Sequence, residues 1–314
     1  MATSIAVTSG KGGVGKTSTA AHLAMSAALD GYKVLVIDLD SQGSMTSIFG
    51  GRVSDEWQTV FPLIARHYAG HLRAENQSRL ARGEAPLPLD ETMTEALGIT
   101  AQDIIQNTHW PNIDLIGAQL NLYWAEFQVP VWRMQLRSWP LWDALGNALS
   151  GEGILDDYDI IMLDTPPALG YLTINALAAA DILLVPLGAS YLEFDSTGRF
   201  FDMLYSTFAS IEDGENTVRR RSGLPEMKFE WDAVRALITR FADLEAAGQA
   251  LRAAEGEGRV RDALAAQTLD DVGLMIYTSG STGAPKGAMI TWRNIRGVVP
   301  GIVQRLQLDE GTSH

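Results

Sequence analysis

The stretch Gly10-Lys11-Gly12-Gly13-Val14-Gly15-Lys16-Thr17 decides the fold of this chain. It has the spacing G-x-x-x-x-G-K-[ST], in which glycines let the backbone wrap around phosphate oxygens. The strand-like run Ser4 to Thr8 precedes it, and a helical pattern from Ser18 to Leu29 follows it. A strand, a glycine loop and a helix N-terminus in this order direct several N–H groups and a positive potential at one point. The stretch therefore predicts a phosphate-binding loop.

Two side chains of the loop have chemical roles that its backbone cannot supply. We expect the Lys16 ammonium to lie against the β- and γ-phosphates of a nucleotide and the Thr17 hydroxyl to ligate Mg²⁺. The residues expected to contact the nucleotide are Gly10, Lys11, Gly12, Gly13, Val14, Gly15, Lys16, Thr17 and Ser18.

Further apolar runs of strand length follow the loop and are separated by stretches of helix length. Continuous apolar runs are typical of parallel strands that are buried on both faces. The pattern predicts an α/β fold with a doubly wound, mostly parallel sheet, and residues 52–110 are expected to form helices on one side of it. The predicted strands are Lys33 to Asp40, Ile113 to Ile116, Ile160 to Asp164, Ile182 to Pro186 and Ala233 to Ile238.

Carboxylates end two of these strands. Asp164 closes one apolar run, and Asp38 and Asp40 close the run after the first helix. Ligands of open α/β sheets bind at the carboxyl ends of the strands, so we expect all three carboxylates to face one crevice. Asp164 suits the metal-binding role of a second-strand carboxylate in P-loop enzymes.

Four tryptophans occur close together in the next helical stretch. Large rings of this kind usually pack in a core, and we expect the same here. The four are Trp124, Trp132, Trp139 and Trp142.

Composition excludes several classes of protein. The chain has 314 residues, no cysteine and a formal net charge of −14. The missing cysteine excludes disulfides, thiol catalysis and cysteine-ligated metal sites. An acidic protein repels nucleic acid, so a DNA contact would need a local basic patch. The apolar runs are shorter than the ~20 residues of a membrane span, and the N-terminus has no signal-peptide pattern, so a cytoplasmic location is expected.

The extra lysine inside the loop carries a family resemblance. Lys11 resembles the signature lysine of the deviant Walker A ATPases, the ParA/MinD family. Asp38-Leu39-Asp40-Ser41-Gln42-Gly43 is similar to the first switch of that family, with Ser41 where proline is usual. Asp164-Thr165-Pro166-Pro167-Ala168-Leu169-Gly170 resembles the second switch of plasmid-partition ParA proteins, and Leu115 to Glu126 resembles the same subgroup. The resemblance covers residues 2–241 and rests on four motifs in the right order.

This resemblance implies a P-loop NTPase of the SIMIBI type that binds ATP and Mg²⁺ and hydrolyses ATP slowly. It implies that Lys11 reaches across a sandwich dimer to the partner's nucleotide and that Asp40 positions the attacking water. The catalytic residues it implies are Lys11, Lys16 and Asp40, and the metal ligands are Thr17, Asp164 and Asp40.

The resemblance also implies a function. A partition ATPase of this kind forms a homodimer on binding ATP, binds DNA non-specifically, associates with the nucleoid, and is stimulated by a ParB-like partner. One alternative is a MinD-like positioning ATPase at a membrane or protein surface, although a membrane partner is not expected. Another alternative is an inactive chimeric product that retains at most nucleotide binding. The absence of cysteine argues against the iron–sulfur members of the superfamily.

A single basic triplet could supply a phosphate-contacting patch for DNA. It is Arg219-Arg220-Arg221, within the region 199–240, in which seven basic residues, the triplet included, balance seven acidic ones. A solvated loop is an equally good interpretation of the triplet.

A second glycine-rich motif lies near the end of the chain. Tyr277-Thr278-Ser279-Gly280-Ser281-Thr282-Gly283-Ala284-Pro285-Lys286-Gly287 resembles the phosphate-binding loop of adenylate-forming enzymes such as acyl-CoA synthetases. Lys286 would supply the counter-charge for phosphate. The adenine pocket, acyl pocket and mobile lid of such an enzyme need many more residues than this tail has. We therefore expect no adenylate-forming activity.

These two resemblances predict two parts of different origin. Residues 1–242 form the ParA-like domain, which lacks the usual C-terminal strand and helix of its family. Residues 243–314 form a tail that resembles an acyl-CoA synthetase fragment, as expected of a chimera joined near residue 242. Trp292 to Leu308 has helical spacing and is interpreted as a core helix separated from its parent fold rather than as a membrane-surface helix.

Overall fold

A computed structural model describes residues 2–188, 191–221, 223–239, 272–279 and 285–291. The chain divides into two compact units, one of Met1–Leu187 with Phe208–Leu237 and one of Gly188–Thr207 with Ile238–His314. No helix within the described ranges is both long and apolar enough to cross a bilayer.

A seven-stranded sheet organises the first unit. Its strands in chain order are β1 (Thr3–Val7), β2 (Val34–Asp38), β3 (Gln106–Asn107), β4 (Ile113–Ile116), β5 (Ile160–Asp164), β6 (Ile182–Gly188) and β7 (Ala233–Thr239). The order across the sheet is β3-β4-β2-β5-β1-β6-β7. The pairs from β4 through β2, β5 and β1 to β6 are parallel, and the short β3 runs antiparallel to β4. The predicted doubly wound, mostly parallel sheet is confirmed.

The strands follow the apolar runs because both faces of the sheet are covered. Every residue of β2 and of β5 is buried. Successive side chains of a strand point to opposite faces, so burial of all five residues requires packing on each side. The strand predicted from Lys33 to Asp40 ends at Asp38, which leaves Asp40 in the turn beyond it.

The helices connect these strands. They are α1 (Lys16–Leu29), α2 (Ser44–Ile48), α3 (Phe61–Ala81), α4 (Glu91–Ala96), α5 (Ala101–Ile104), α6 (Trp124–Gln135), α7 (Ala144–Gly151), α8 (Ile154–Asp157), α9 (Tyr171–Ala178) and α10 (Tyr191–Arg221). Short 3-10 helices occur at Glu56–Gln58, Leu120–Tyr123 and Leu141–Asp143. The region 52–110 contains the predicted helices, α3, α4 and α5, together with the short strand β3, and α1 begins two residues before the predicted start.

Small side chains let α1 lie close to the sheet. The buried face of α1 is formed by alanines, and it packs with apolar residues of β1, β2, β4 and β5 in one core cluster. Without larger side chains the helix backbone can approach the strands. The alanines are Ala20, Ala21, Ala24 and Ala28.

Aromatic rings hold α3 and α6 together. Tyr68 stacks on Trp132 with ring centroids 5.1 Å apart, and Trp139 meets Tyr68 edge-on at 4.9 Å. The indole N–H of Trp139 donates to Nδ1 of His67 at 3.0 Å. The prediction that these tryptophans pack in the core is confirmed for Trp132 and Trp139, which are buried. It is wrong for Trp124, whose side chain is 62% exposed.

The second unit contains a hairpin of β8 (Val272–Ser279) and β9 (Pro285–Thr291), which pair antiparallel with Thr278 opposite Lys286. Residues 280–284 of the second glycine-rich motif lie outside the described residues, as do the predicted junction near residue 242 and the predicted helix from Trp292 to Leu308.

Candidate functional site

The glycine loop connects β1 to α1 at the carboxyl edge of the sheet. Gly13 and Gly15 have φ angles of 75° and 84°, which side-chain-bearing residues rarely adopt. Gly15 is the N-cap of α1 and offers no side-chain hydrogen bond to it. The first N–H groups of α1 therefore point into the loop without a capping side chain, which is the arrangement that binds anions.

Lys16 lies across this loop. Its side chain is only 7% exposed, and its Nζ donates to the carbonyl of Lys11 at 3.3 Å. Burial lowers the pKa of Lys16, against the opposing effect of the Asp164 and Asp40 carboxylates. A buried ammonium is costly unless anions surround it, so the loop is suited to a ligand with additional negative charge.

Asp164 lies beside Lys16 because three strands end together. In the sheet register, Asp164 of β5 is paired with Val7 of β1 on one side and with Asp38 of β2 on the other. Neither carboxylate oxygen of Asp164 has a hydrogen-bond partner of good geometry, although the Thr17 hydroxyl is near enough to affect its ionisation. Burial first, and then the charge of Asp38, raise the pKa of Asp164 to about 7. A buried carboxylate without partners, next to a hydroxyl, fits a hard cation such as Mg²⁺.

Asp38 has a structural contact that the sequence did not indicate. Its carboxylate accepts hydrogen bonds from the Thr46 N–H at 2.8 Å and the Thr46 hydroxyl at 2.7 Å. It also accepts from the Asp40 N–H at 3.1 Å. Burial raises the pKa of Asp38 to about 6, and the Thr46 bonds oppose that rise. Asp38 therefore anchors α2 to the end of β2.

Asp40 lies on a rigid turn. Its carbonyl accepts from the Gly43 N–H at 2.9 Å, and its carboxylate accepts from the Gln42 N–H at 3.0 Å. Gly43 has a φ of 62°, and a Cβ there would lie 2.9 Å from the Ala118 carbonyl. The turn therefore holds the half-buried Asp40 at a fixed position near Lys16 and Asp164.

The three carboxylates lie close together as expected: Asp38 is paired with Asp164 across the sheet, and the charges of Asp38 and Asp40 both contribute to the raised pKa of Asp164. Within the described ranges, however, no three or more Asp, Glu, His or Cys side chains are grouped so that they alone could hold a metal ion. Lys11 is exposed on the glycine loop, and its carbonyl accepts hydrogen bonds from the Ser9 hydroxyl and from Nζ of Lys16.

Comparison with known proteins agrees with this geometry. The model of the AAA domain family matches residues 2–216. The chain belongs to the AAA domain family. Within that family it resembles ParA-like P-loop ATPases: Sporulation initiation inhibitor protein Soj of Bacillus subtilis is 32% identical over 199 residues, which are 63% of each chain.

Two further relatives are about twice as long as the region of this chain that matches them. A protein of Sinorhizobium fredii named as a replication protein A is 34% identical over 250 residues, which are 76% of this chain and 49% of that protein. The chain thus spans about half the length of that relative and of a similar one from Rhizobium rhizogenes. Cobyrinic acid a,c-diamide synthase from Mycobacterium smegmatis, solved with ADP and magnesium, has the same fold. Its TM-score is 0.51 at 22% identity, over 79% of this chain and 82% of that one.

The tail of the ParA-like chain matches a different family. The model of the AMP-binding enzyme family matches residues 143–311 and so overlaps the AAA domain match between residues 143 and 216. In that overlap β5 and β6 belong to the seven-stranded sheet, and α9 connects them. The AMP-binding match thus includes the tail, residues 243–314, up to residue 311, and also extends over residues 143–242.

Glu126 is a second residue that sequence reasoning missed. Its carboxylate accepts from the backbone N–H groups of Tyr171 at 2.8 Å and Leu172 at 3.0 Å, at the N-terminus of α9. The segment Asp164 to Gly170 leads directly into this helix end. No local pattern marks Glu126, because its partners are 45 residues away in the chain.

The basic triplet is partly engaged by contacts within the first unit. Arg219 donates to the Pro225 carbonyl at 2.7 Å, and Arg220 forms an ion pair with Glu226 at 3.2 Å. These contacts hold the end of α10 against the following loop.

Proposed function

We propose that this chain is a partition ATPase in which ATP binding drives dimerisation, the dimer binds DNA non-specifically, and a ParB-like partner stimulates slow hydrolysis. The observation that carries the proposal is Lys16, a buried lysine held across a glycine loop beside the partnerless Asp164 carboxylate. The family membership supports ATP as the nucleotide.

Phosphate binding rests on the loop backbone and on Lys16. The uncapped N–H groups of α1 and the loop amides from Gly10 to Gly15 would hold the phosphate oxygens. The Lys16 ammonium would exchange the Lys11 carbonyl for the β- and γ-phosphates, which compensate its charge better than a neutral acceptor does.

Thr17 and Asp164 would hold Mg²⁺, the Thr17 hydroxyl directly and Asp164 from the end of β5. Mg²⁺ keeps waters and phosphate oxygens among its ligands, so two side chains are enough. When bound, the ion supplies neutralisation of phosphate charge. Asp40, at the far side of the same crevice, is our candidate for holding the attacking water, with a direct metal contact as the other role implied by the resemblance.

Lys11 would act between two copies of the chain. Lys11 is exposed on the glycine loop. A second protomer that faces this loop would place its own nucleotide near the Lys11 side chain. The lysine would then neutralise charge on the partner's phosphates, which couples dimerisation to hydrolysis.

Sedimentation velocity of the full chain with and without ATP and Mg²⁺ tests this proposal, together with titration of a fluorescent ATP analogue. We expect the wild type to show an ATP-dependent increase in mass. Lys16→Ala should lose ATP binding, because the buried counter-charge is gone. Lys11→Ala should bind ATP but show no ATP-dependent increase in mass and no hydrolysis.

Lys228→Ala is the matched control, since Lys228 is an exposed lysine paired with Glu230 away from the loop. It should behave like the wild type. ATP-dependent association in Lys11→Ala would refute the role of that lysine. ATP-dependent, salt-sensitive DNA binding would support partition, liposome binding would favour a MinD-like positioning ATPase, and no response to ATP would favour an inactive chimera.

A further inference from the structure

A cavity of about 410 Å³ lies between α3 and α7. This volume is at the small end of the range of about 300–1,000 Å³ that small-molecule sites occupy. Leucine and alanine side chains of the two helices form its apolar lining, and its charged or titratable lining is Arg66, His67, His71 and Glu152. Neither the glycine loop nor Asp164 lines this cavity, so it is separate from the proposed nucleotide site.

The two histidines of the cavity are one helical turn apart on α3. Their rings meet edge-on with centroids 4.7 Å apart. Histidines at this spacing are a common pair of metal ligands. Trp139 excludes that role for His67, because an indole N–H can only donate and it donates to Nδ1 of His67 at 3.0 Å. Nδ1 is then the acceptor of the neutral ring and Nε2 carries the proton. Nε2 of His67 is therefore a hydrogen-bond donor and not a metal ligand.

This Nε2–H donor of His67 is unused. The atom is buried and has no hydrogen-bond partner within the part of the chain that the structure describes. Buried polar groups are nearly always paired, so a buried donor without a partner needs a specific explanation, such as a ligand that supplies the acceptor. The ring packed against it belongs to His71, which is exposed. Rotation of one surface side chain thus gives a ligand access to Nε2.

The charges around His67 favour an anion. Burial, and then the charges of His71 and Arg66, lower the pKa of His67 to about 4, so the ring is neutral at pH 7 and lies in a positive potential. Glu152 is the one acidic residue among the described residues that line the cavity. Its carboxylate is already engaged, since it forms an ion pair with Arg66 and accepts from the Ala101 N–H at 2.6 Å. A negatively charged oxygen is the acceptor that suits this donor best.

Two exposed glycines leave the cavity open to solvent. Gly70 of α3 and Gly151 of α7 both line it, and a Cβ at either position would meet no atom within 4 Å. Packing therefore does not require glycine at these positions. Gly70 lies in the middle of the 21-residue α3, where glycine is less favourable than alanine. The open space at both positions lets a small molecule enter from the surface.

We propose that the cavity between α3 and α7 binds a small organic carboxylate. One carboxylate oxygen accepts the Nε2–H of His67, and its negative charge lies beside Arg66 and His71. The apolar part of the molecule packs on Leu63 and Ala148, which line the same cavity. This binding site is independent of the proposed ATPase cycle.

Nuclear magnetic resonance of the imidazole nitrogens in the full chain tests the tautomer and the ligand together. The probes are benzoate and butyrate, and benzamide is the control with the shape of benzoate and no charge. We expect the Nε2–H tautomer for His67, and shifts of His67 and His71 with both carboxylates. The signals of His22 and His109, which do not line the cavity, should stay in place. An Nδ1–H tautomer, no shift with either carboxylate, equal shifts with benzamide, or coordination of Zn²⁺ by His67 and His71 would overturn the proposal.

Two single substitutions test the donor and the opening separately. His67→Leu removes the Nε2–H and should raise the Kd for benzoate roughly 10-fold or more. Gly70→Leu places a side chain at the opening and should weaken benzoate binding while raising the urea midpoint, because leucine favours a helix more than glycine does. Ala74→Leu, at an exposed position one turn further along α3, should leave the Kd unchanged. Unchanged benzoate affinity in either His67→Leu or Gly70→Leu would overturn the proposal without bearing on ATP binding. Should His67→Leu fail to fold, Gly70→Leu decides.

Discussion

Gly170→Ala probes how firmly Glu126 holds the N-terminus of α9. Gly170 precedes α9 with φ −90° and ψ −174°, an extended conformation that alanine adopts without strain. A Cβ at this position would lie 2.6 Å from both carboxylate oxygens of Glu126. The methyl group therefore has no room while Glu126 accepts from Tyr171 and Leu172.

The expected cost follows from these contacts. Hydrogen bonds to a charged group contribute about 1.5–3 kcal/mol each, and the favourable placement of a carboxylate at a helix N-terminus is included in that value. Displacement of Glu126 would weaken both hydrogen bonds. The displaced carboxylate would remain hydrated, so only part of the combined value of the two bonds would be lost. Replacing glycine by alanine also restricts the unfolded chain, which stabilises the fold by about 0.4–1 kcal/mol. We expect Gly170→Ala to lower the free energy of unfolding by about 2 kcal/mol.

A double-mutant cycle with Glu126→Ala isolates the contact. Without the carboxylate the methyl group has space, so Gly170→Ala should be neutral or slightly stabilising in that background, with a coupling energy of about 2–3 kcal/mol. Urea unfolding followed by tryptophan fluorescence measures all four proteins. Equal effects of Gly170→Ala in both backgrounds, within about 0.5 kcal/mol, would refute the reasoning.

Three further predictions concern turnover, pH and the tail. Asp40→Ala should keep fluorescent-ATP binding and abolish phosphate release, because the attacking water loses its carboxylate; an unchanged rate of phosphate release would exclude that role. Burial, His71 and Arg66 lower the pKa of His67 from 6.5 to about 4. The stability that neutral His67 contributes is therefore complete above pH 6.5 and is lost as pH falls toward 4. Between pH 7 and pH 5 the free energy of unfolding of the wild type should fall by about 2 kcal/mol more than that of His67→Gln. The opposite effects of Asp38 and Asp164 are present in both proteins and cancel in this comparison. An equal change in the free energy of unfolding of both proteins, measured by urea denaturation, would contradict the prediction. Lys286→Ala should leave the ATPase rate unchanged, and neither protein should show acid-dependent pyrophosphate exchange, since one loop cannot hold both reactants in attack geometry. Exchange that disappears in the variant would make the chain a bifunctional enzyme.

The local part of the site could be predicted from sequence because its chemistry is local. The glycine loop, Lys16 and Thr17 form one continuous segment whose backbone conformation depends on Gly13 and Gly15 themselves. The strands were predicted because burial on both faces requires continuous apolar runs, as in β5. Asp164 followed from the same rule, since it ends such a run.

Contacts between segments distant in the chain were decided by the tertiary structure alone. Asp38 gives no sign in sequence that its oxygens hold Thr46, and Glu126 gives none that it caps α9, because both depend on how helices are placed on the sheet. Trp124 and Trp132 are the same residue type eight positions apart on one helix, yet one is 62% exposed and the other 2%. Composition cannot separate them, because burial depends on which side of α6 meets Tyr68 of α3, and only the packed structure establishes that side.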